Sequence, residues 1–359
     1  MTIKYSHPSR LPIRLDYGIF ARELADAQYG IGLLEGLQRK LQNSSLLIAP
    51  LTAKEATVSS KIEGTQSTAS DVFLYEAGGE PRYRDTAEVS NYRRAMTFAM
   101  GELGEKRTFS SHFLKTIHGI LLEGVRHKGK TGDFRDGPVW IAEKHGDPIE
   151  KATYIPPEAV LVPEYVENLI DYIKAGDENA LVQSGIVHYQ FEAIHPFEDG
   201  NGRIGRLLVP FLLHYRKQLS LPIIYLSGYF DEHRDEYIDA LHEVDKTNHH
   251  GAWLLFFLKA VKIQSEETRE LIEKICSLYE DIKGRFKIRK SPYLIPFLDY
   301  IFSSPIFSVP QLVKKVGMGR MTAFRLTKML IEEKIVFPVD IPGQVRKFYA
   351  FGPLLDLLR

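Results

Sequence analysis

Residues 195–206 read HPFEDGNGRIGR, and the reading of the whole chain turns on this stretch. Gly200, Asn201 and Gly202 stand directly before a helical pattern that runs from Arg203 to about residue 218. Permissive residues at a helix start expose backbone amides, and the positive end of the helix dipole lies with them, so the segment is an anion cradle suited to phosphate. It is no Walker loop, because no Gly-Lys-Ser/Thr follows, and no strand precedes it as a dinucleotide-binding fingerprint requires. Within the same twelve residues sit groups that suit phosphoryl or nucleotidyl transfer. His195 can take a proton near neutral pH. Asp199 offers a hard oxygen ligand for Mg²⁺. Asn201 can donate to a phosphate oxygen, and Arg203 and Arg206, at i and i+3, can neutralise phosphate charge from one helix face.

Working outward, hydrophobic periodicity is mostly helical. Upstream, helices are expected over Ile19–Gln42 and from Pro50, a favourable first-turn residue, to Gly64. The central segment carries helical patterns at 85–103, 110–124, 158–175, 178–194, 203–218, 231–245 and 251–283. Between the second and third lies GPVWIAEKHGDPIEKATYIPP, in which β-favouring residues flank a Gly-Asp-Pro turn, so a hairpin is expected over about 139–155. Beyond a basic linker at 284–291, helices are expected over Tyr293–Phe302, Val309–Val316 and Met321–Glu333. Strands follow at Ile335–Val339 and Arg346–Phe351, joined through Pro342-Gly343. Three helices with a tight glycine turn and a hairpin make the pattern of a winged helix-turn-helix. The expected fold is therefore all-α with a β-hairpin flap, plus a C-terminal winged helix. Its three parts are an N-terminal helical region over 1–80, a core over 81–285 and the winged helix over 292–359.

Composition narrows the class. Of 359 residues 44% are hydrophobic and 26% charged, which is ordinary globular composition and excludes disorder. At roughly 150 residues per domain, two or three domains are expected. The 46 Lys and Arg balance 46 Asp and Glu, so any charged partner must meet a local patch. One such patch is the C-terminal part, with ten Lys and Arg against five Asp and Glu from Lys290 onward. There Arg320, Thr322, Arg325, Arg346 and Lys347 are candidate DNA contacts. Cys276 is the only cysteine, which removes intrachain disulfides and thiolate zinc sites and fits a reducing compartment. With neither a signal-peptide pattern at the N-terminus nor a membrane span, a cytoplasmic location without membrane contact is expected. Oligomeric state is left open.

At the opening stretch the chain resembles the Fic family, whose motif is HxFx[DE]GNGRxxR. His195, Phe197, Asp199, Gly200, Asn201, Gly202, Arg203 and Arg206 meet all of its fixed positions. The segments GDFRDGPVWIA, ATYIPP and LPIIYLSGYFDEHRDEYIDAL are similar to the family's hairpin and following helices, so the likeness covers about 50–285. The resemblance implies a protein adenylyltransferase that moves AMP from ATP, with Mg²⁺, to a Ser, Thr or Tyr hydroxyl of a protein, itself included. It implies His195 as base, Asp199 as Mg²⁺ ligand, Asn201 as α-phosphate contact, and Gly200, Gly202, Arg203 and Arg206 as the clamp on the outer phosphates. Phe197 would be buried, the 139–155 hairpin would dock the target by strand addition, and Tyr229, with Tyr237, would lie near the base. Ser59 to Gly64 also resembles the family's inhibitory pattern [ST]xxxE[GN]. That implies a brake in which Glu63 pairs with Arg206, with Ser59 one helical turn before it. A DNA-binding regulator with a nucleotide-sensing Fic-like domain is the competing reading. Elsewhere, His188 seven residues before His195 is more plausibly packing than a metal ligand, Trp253, Phe256 and Phe257 read as core, His249 and His250 read as exposed loop, and Cys276 as a buried helix residue.

Overall fold

The computed structural model describes residues 3–41, 45–104, 108–125, 129–142, 147–286, 291–341 and 346–359. In chain order it shows α1 (Ala21–Lys40), α2 (Ser45–Ile62), α3 (Ala69–Glu76), α4 (Thr86–Gly104), α5 (Ser111–Leu121), β1 (Ile141–Ala142) and β2 (Ala152–Tyr154). Then come α6 (Val162–Ala175), α7 (Ala180–Ile194), α8 (Asn201–Tyr215), α9 (Ser227–Glu232), α10 (Arg234–Thr247) and α11 (Gly251–Phe286). The last elements are α12 (Leu294–Ser303), β3 (Ile306–Ser308), α13 (Val309–Val316), α14 (Arg320–Glu332), β4 (Val336–Val339), β5 (Phe348–Phe351) and α15 (Gly352–Leu357). Among the described residues the protein is thus mostly helical with two small antiparallel sheets. Among the described residues no helix is long and apolar enough to cross a membrane.

Two compact units form from discontinuous segments, one from residues 1–36 and 94–266, the other from 37–93 and 267–359. At the centre of the first is α7, in which every residue except Glu192 is buried. A helix buried on every side has no solvent face and must be wrapped by its neighbours, and α6 and α8 pack along it. Asn179 caps its start by accepting from the Leu181 N–H at 3.0 Å, which is what a short amide side chain does at an N-cap. Trp253, Phe256 and Phe257 of α11 are buried as expected, and the Trp253 indole N–H donates to the Gly185 carbonyl at 2.8 Å. The hairpin pairs Ile141 with Tyr154 and Ala142 with Ala152, with a register irregularity between them. Its Tyr154 hydroxyl donates to the Ala193 carbonyl at 2.9 Å, tying β2 to the end of α7. Gly146, the first residue of the expected turn, lies outside the described residues.

The second unit builds its core from Ala53 of α2, Ala69 and Phe73 of α3, Ala77, Ile306, Phe348, Leu355 and Leu358. Its sheet has the order β3-β5-β4, antiparallel throughout, with Ile306 opposite Ala350 and Phe337 opposite the same residue on the other side. Ser308 and Gln311 form a capping box at the start of α13, and Gly317 at φ 71° ends it. The Pro342-Gly343 connection and most of the 284–291 linker lie outside the described residues.

Several expectations need correction. Helix α2 begins at Ser45, so Pro50 lies inside it rather than in its first turn. The N–H that Pro50 lacks would have met the Leu46 carbonyl; separately, the Thr52 hydroxyl donates back to the Ile48 and Ala49 carbonyls at 2.6 and 3.1 Å. The linker's first residues, up to Phe286, continue α11. Helices α3, α9 and α15 and strand β3 were not anticipated. His250 is buried with its ring edge-on to Tyr189 at 5.1 Å, not exposed, whereas Cys276 is half-buried rather than buried.

Candidate active site

The motif occupies the junction between the end of α7 and the start of α8, inside the first unit. His195 caps α7 in the left-handed region, φ 48° and ψ 61°, with its N–H on the Phe191 carbonyl at 3.0 Å. A non-glycine residue there costs about 1–2 kcal/mol, so its surroundings must hold it. Arg135 does this from outside the motif. Its Nε donates to the His195 carbonyl at 2.8 Å and its Nη2 to the Ile194 carbonyl at 3.3 Å. These carbonyls lie at a helix C-terminus, where a cation is favoured. Burial pulls the Arg135 pKa below its ordinary value, yet a guanidinium stays charged in a protein.

From His195 the chain turns through Phe197, which is fully buried. The His118 ring from α5 stacks on it, centroids 4.0 Å apart and planes within 8°. His118 is a two-ended brace: Nδ1 accepts from the Gly132 N–H at 2.9 Å, and the opposite nitrogen lies 3.2 Å from the Asp199 carbonyl oxygen. An acceptor at Nδ1 places the ring proton on Nε2, which therefore donates to Asp199. Asn201 clamps the same loop, its Oδ1 accepting from the Phe197 N–H at 2.9 Å and its Nδ2 donating to the Phe197 carbonyl at 2.8 Å.

Gly200 is the N-cap of α8, at φ 79°, and as a glycine brings no capping side chain of its own. A Cβ there would sit 3.2 Å from Leu121 Cδ2, so both backbone angle and space call for glycine. The Asp199 carboxylate accepts from the Gly200 N–H at 2.6 Å and from Arg203 Nη2 at 3.1 Å through the same Oδ1. Its side chain is 43% exposed while that of Arg203 is 3% exposed. Arg206 is buried one turn further along α8, and Gly205 between them leaves room for the Glu192 carboxylate, which any side chain at 205 would strike.

One loop and one helix start therefore gather His195, Asp199, Gly200, Asn201, Gly202, Arg203 and Arg206. The other candidates are carried by other elements. His188 is fully buried, its Nε2 2.9 Å from the Tyr237 hydroxyl and its ring stacked on Trp253. Burial pushes its pKa down to about 4, and the Arg206 charge adds to the shift. Tyr237 is committed to this aromatic cluster, against Phe230 as well. Tyr229 is buried on α9 and stacks on His233 at 4.0 Å. Ser59 and Glu63 belong to the second unit, Ser59 buried in the last turn of α2 and Glu63 exposed in the turn that follows, where Gly64 takes φ 98°. An open depression of about 860 Å³ lined by His112, Lys115, Glu123 and Asp133 among others contains no motif residue.

Residues 21–101 match the sequence model of the Fic/DOC family N-terminal region, and residues 108–213 that of the Fic/DOC family; together they span just over half of the chain. The chain belongs to the Fic/DOC family. A probable protein adenylyltransferase of Aquifex aeolicus is 31% identical over 96 residues, which are 26% of this chain and 28% of that protein. Protein adenylyltransferase fic-1 of Caenorhabditis briggsae is 32% identical over 164 residues, 44% of this chain and 29% of that protein. The matched portion thus spans less than a third of either relative. Among solved structures, a Fic family protein from Desulfovibrio desulfuricans G20 aligns over 96% of this chain and 98% of its own, with TM-score 0.60 and 20% identity. Fic-1 of C. elegans, residues 134–508, aligns over 71% and 74% with TM-score 0.56 and 20% identity. These likenesses establish the fold.

The Fic/DOC match contains the hairpin, the whole motif and both braces, His118 and Arg135. Neither brace stood out in the sequence. His118 had a legible signal, since Phe113, Leu114, Ile117, His118 and Leu121 form the buried face of α5, and a histidine on such a face needs partners for both nitrogens. Arg135, in a loop of mixed charges, had none.

Proposed function

We propose that this chain transfers AMP from ATP to a Ser, Thr or Tyr hydroxyl of a protein, itself included, releasing pyrophosphate. The observation that carries this reading is the junction at 195–206: a histidine at the end of one helix is followed within six residues by a glycine-capped helix start, where Asp199 of the loop pairs with Arg203 of the first turn. His195 Nδ1 lies 3.2 Å from the Glu192 carbonyl, a pairing that favours the proton on Nδ1 and leaves Nε2 as the base. The acceptor oxygen attacks the α-phosphorus, its proton passes to Nε2, and the bond to the bridging oxygen of the β-phosphate breaks. Asn201 uses one amide proton on Phe197 and keeps the other for the α-phosphate. The backbone of Gly200 and Gly202, with Arg203 and Arg206, receives the outer phosphates. The half-exposed Asp199 carboxylate suits Mg²⁺, which commonly takes one or two carboxylates and substrate phosphates. Among the described residues no cluster of three His, Cys, Asp or Glu offers an all-protein cage. When bound, Mg²⁺ supplies charge neutralisation on the phosphates.

The target strand adds to the 139–155 hairpin, Tyr229 serves the base side of the site, and Glu63 restrains activity by pairing with Arg206. This brake rests on the sequence pattern alone. A chain with one cysteine suits the cytoplasm. Functionally the parts divide at 1–80, 81–285 and 292–359. The test is incubation with ATP labelled in the α-phosphate: protein-bound label in the Glu63→Gly chain and none after adding His195→Ala is the expected result. Label from the γ-phosphate instead contradicts AMP transfer.

A second reading concerns residues 292–359. Helices α13 and α14, joined at Gly317, and the antiparallel β4–β5 pair support a winged helix-turn-helix, and α14 exposes Arg320, Arg325 and Lys328 on one side. That face suits DNA, the basis of the regulator alternative, although Met321, 82% exposed, and Phe324 beside them suit a protein partner equally. Duplex DNA titrated at two salt concentrations decides: binding that weakens with salt supports DNA, and absence of binding removes it.

A further inference from the structure

We propose that Arg135 is a positioning residue that couples the hairpin to His195. Its guanidinium is almost fully buried, 4% exposed, and spends its fork on carbonyls from two directions. On one side Nε and Nη2 hold the His195 and Ile194 carbonyls at 2.8 and 3.3 Å. On the other, Nη1 holds the Gly137 carbonyl at 3.1 Å and Nη2 the Pro157 carbonyl at 2.6 Å. Gly137 leads into β1 and Pro157 follows β2, so both flanks of the hairpin end on the same cation that pins the histidine. The Arg135 backbone N–H adds a fifth bond, to the Pro196 carbonyl at 3.0 Å.

The geometry assigns a role that charge alone cannot fill. A guanidinium offers five N–H groups in a rigid plane, whereas an ammonium concentrates three at a point on a flexible stem. Lysine at 135 can satisfy one side or the other. With the His195 side released, the left-handed cap of α7 relaxes toward ordinary backbone angles and the imidazole swings with it. Misplacement by about 1 Å can cost on the order of a hundredfold in rate. A target strand that docks on the hairpin fixes Gly137 and Pro157, and through Arg135 it fixes the base as well.

The consequence for catalysis rests on the AMP-transfer reading; the positioning of the loop does not. The test compares full chains carrying Glu63→Gly, alone and with Arg135→Lys, Arg135→Gln or Tyr189→Phe. The last removes a partly buried hydrogen bond of α7, from Tyr189 to Asp245 at 2.8 Å, outside the site. Hydrogen exchange followed by mass spectrometry reads the loop. In the Arg135 variants, exchange in 194–200 and 152–157 rises at least tenfold while 181–188 stays within twofold, and Tyr189→Phe shows no such pattern. Self-incorporation of AMP reads the chemistry: kcat falls at least tenfold with KM for ATP within threefold, and Tyr189→Phe retains kcat. Exchange within twofold of the parent at 194–200, or a rise spread evenly over 180–215, overturns the proposal, as does an unchanged kcat in an active parent. A parent that incorporates no AMP refutes the transfer reading, and the exchange measurement still decides the role of Arg135.

Discussion

Asn201 folds its carboxamide back onto Phe197, four residues earlier, accepting from its N–H at 2.9 Å and donating to its carbonyl at 2.8 Å. One side chain thereby satisfies both backbone groups of a buried residue and fixes the bend between α7 and α8. Asn201→Ala strands both, and leaving a buried donor or acceptor unmade costs about 1–3 kcal/mol each. Urea unfolding is expected to show a loss of about 2–6 kcal/mol, one share for each group, and Asn201→Asp, which keeps the acceptor but turns a carboxylate oxygen toward the Phe197 carbonyl, is expected to be destabilised as well. A variant as stable as the parent would show that water replaces the clamp.

Phe197 fills the space under the loop against the His118 ring, centroids 4.0 Å apart, with Phe134 at 5.4 Å. Phe197→Ala is expected to cost about 3–5 kcal/mol. Circular dichroism and the urea midpoint measure it, and a cost under about 1 kcal/mol contradicts the packing described here.

Gly200 takes φ 79° with Leu121 Cδ2 3.2 Å from where a Cβ would be. Gly200→Ala combines a left-handed penalty of about 1–2 kcal/mol with that contact. The substitution also moves the amides that start α8, so ATP affinity, read by calorimetry, falls at least tenfold. Retained affinity would separate the cradle from nucleotide binding.

Acid sensitivity has a specific source in the first unit. Burial holds His188 neutral with its pKa lowered to about 4, and His250 likewise to about 4. The unfolded chain takes up these protons near pH 6.5 while the folded chain refuses them. Stability is therefore full above pH 6.5 and declines as pH falls toward 4, by on the order of 3 kcal/mol for His188. Urea midpoints from pH 7.5 to 4.5 check this, and His188→Gln, which has no group that titrates in this range, flattens the slope. An identical slope in that variant contradicts the assignment.

Much of this was legible in the sequence because the signals were local. The central helices α4 to α8 follow their hydrophobic periods, and residues 195–206 carry their chemistry in consecutive positions. Helix α3 escaped notice although Thr68 and Asp71 form a capping box, since its eight residues give too little period to stand out. Pro50 misled because a proline favoured in a first turn sits here in the second turn of α2, which begins at Ser45. Strand β3 has three residues and exists because β5 lies beside it. The braces illustrate the general limit: His118 and Arg135 act on carbonyls 81 and 60 residues away, and no spacing rule reaches that far.

Transfer of AMP at this junction leaves a defined mass on the protein. Intact-mass spectrometry of the Glu63→Gly chain after incubation with ATP and Mg²⁺, beside the same chain with His195→Ala, tests it most directly. A gain of one AMP per modified hydroxyl is expected in the first and an unmodified mass in the second. A phosphate adduct, no adduct in the first, or equal adducts in both would contradict it.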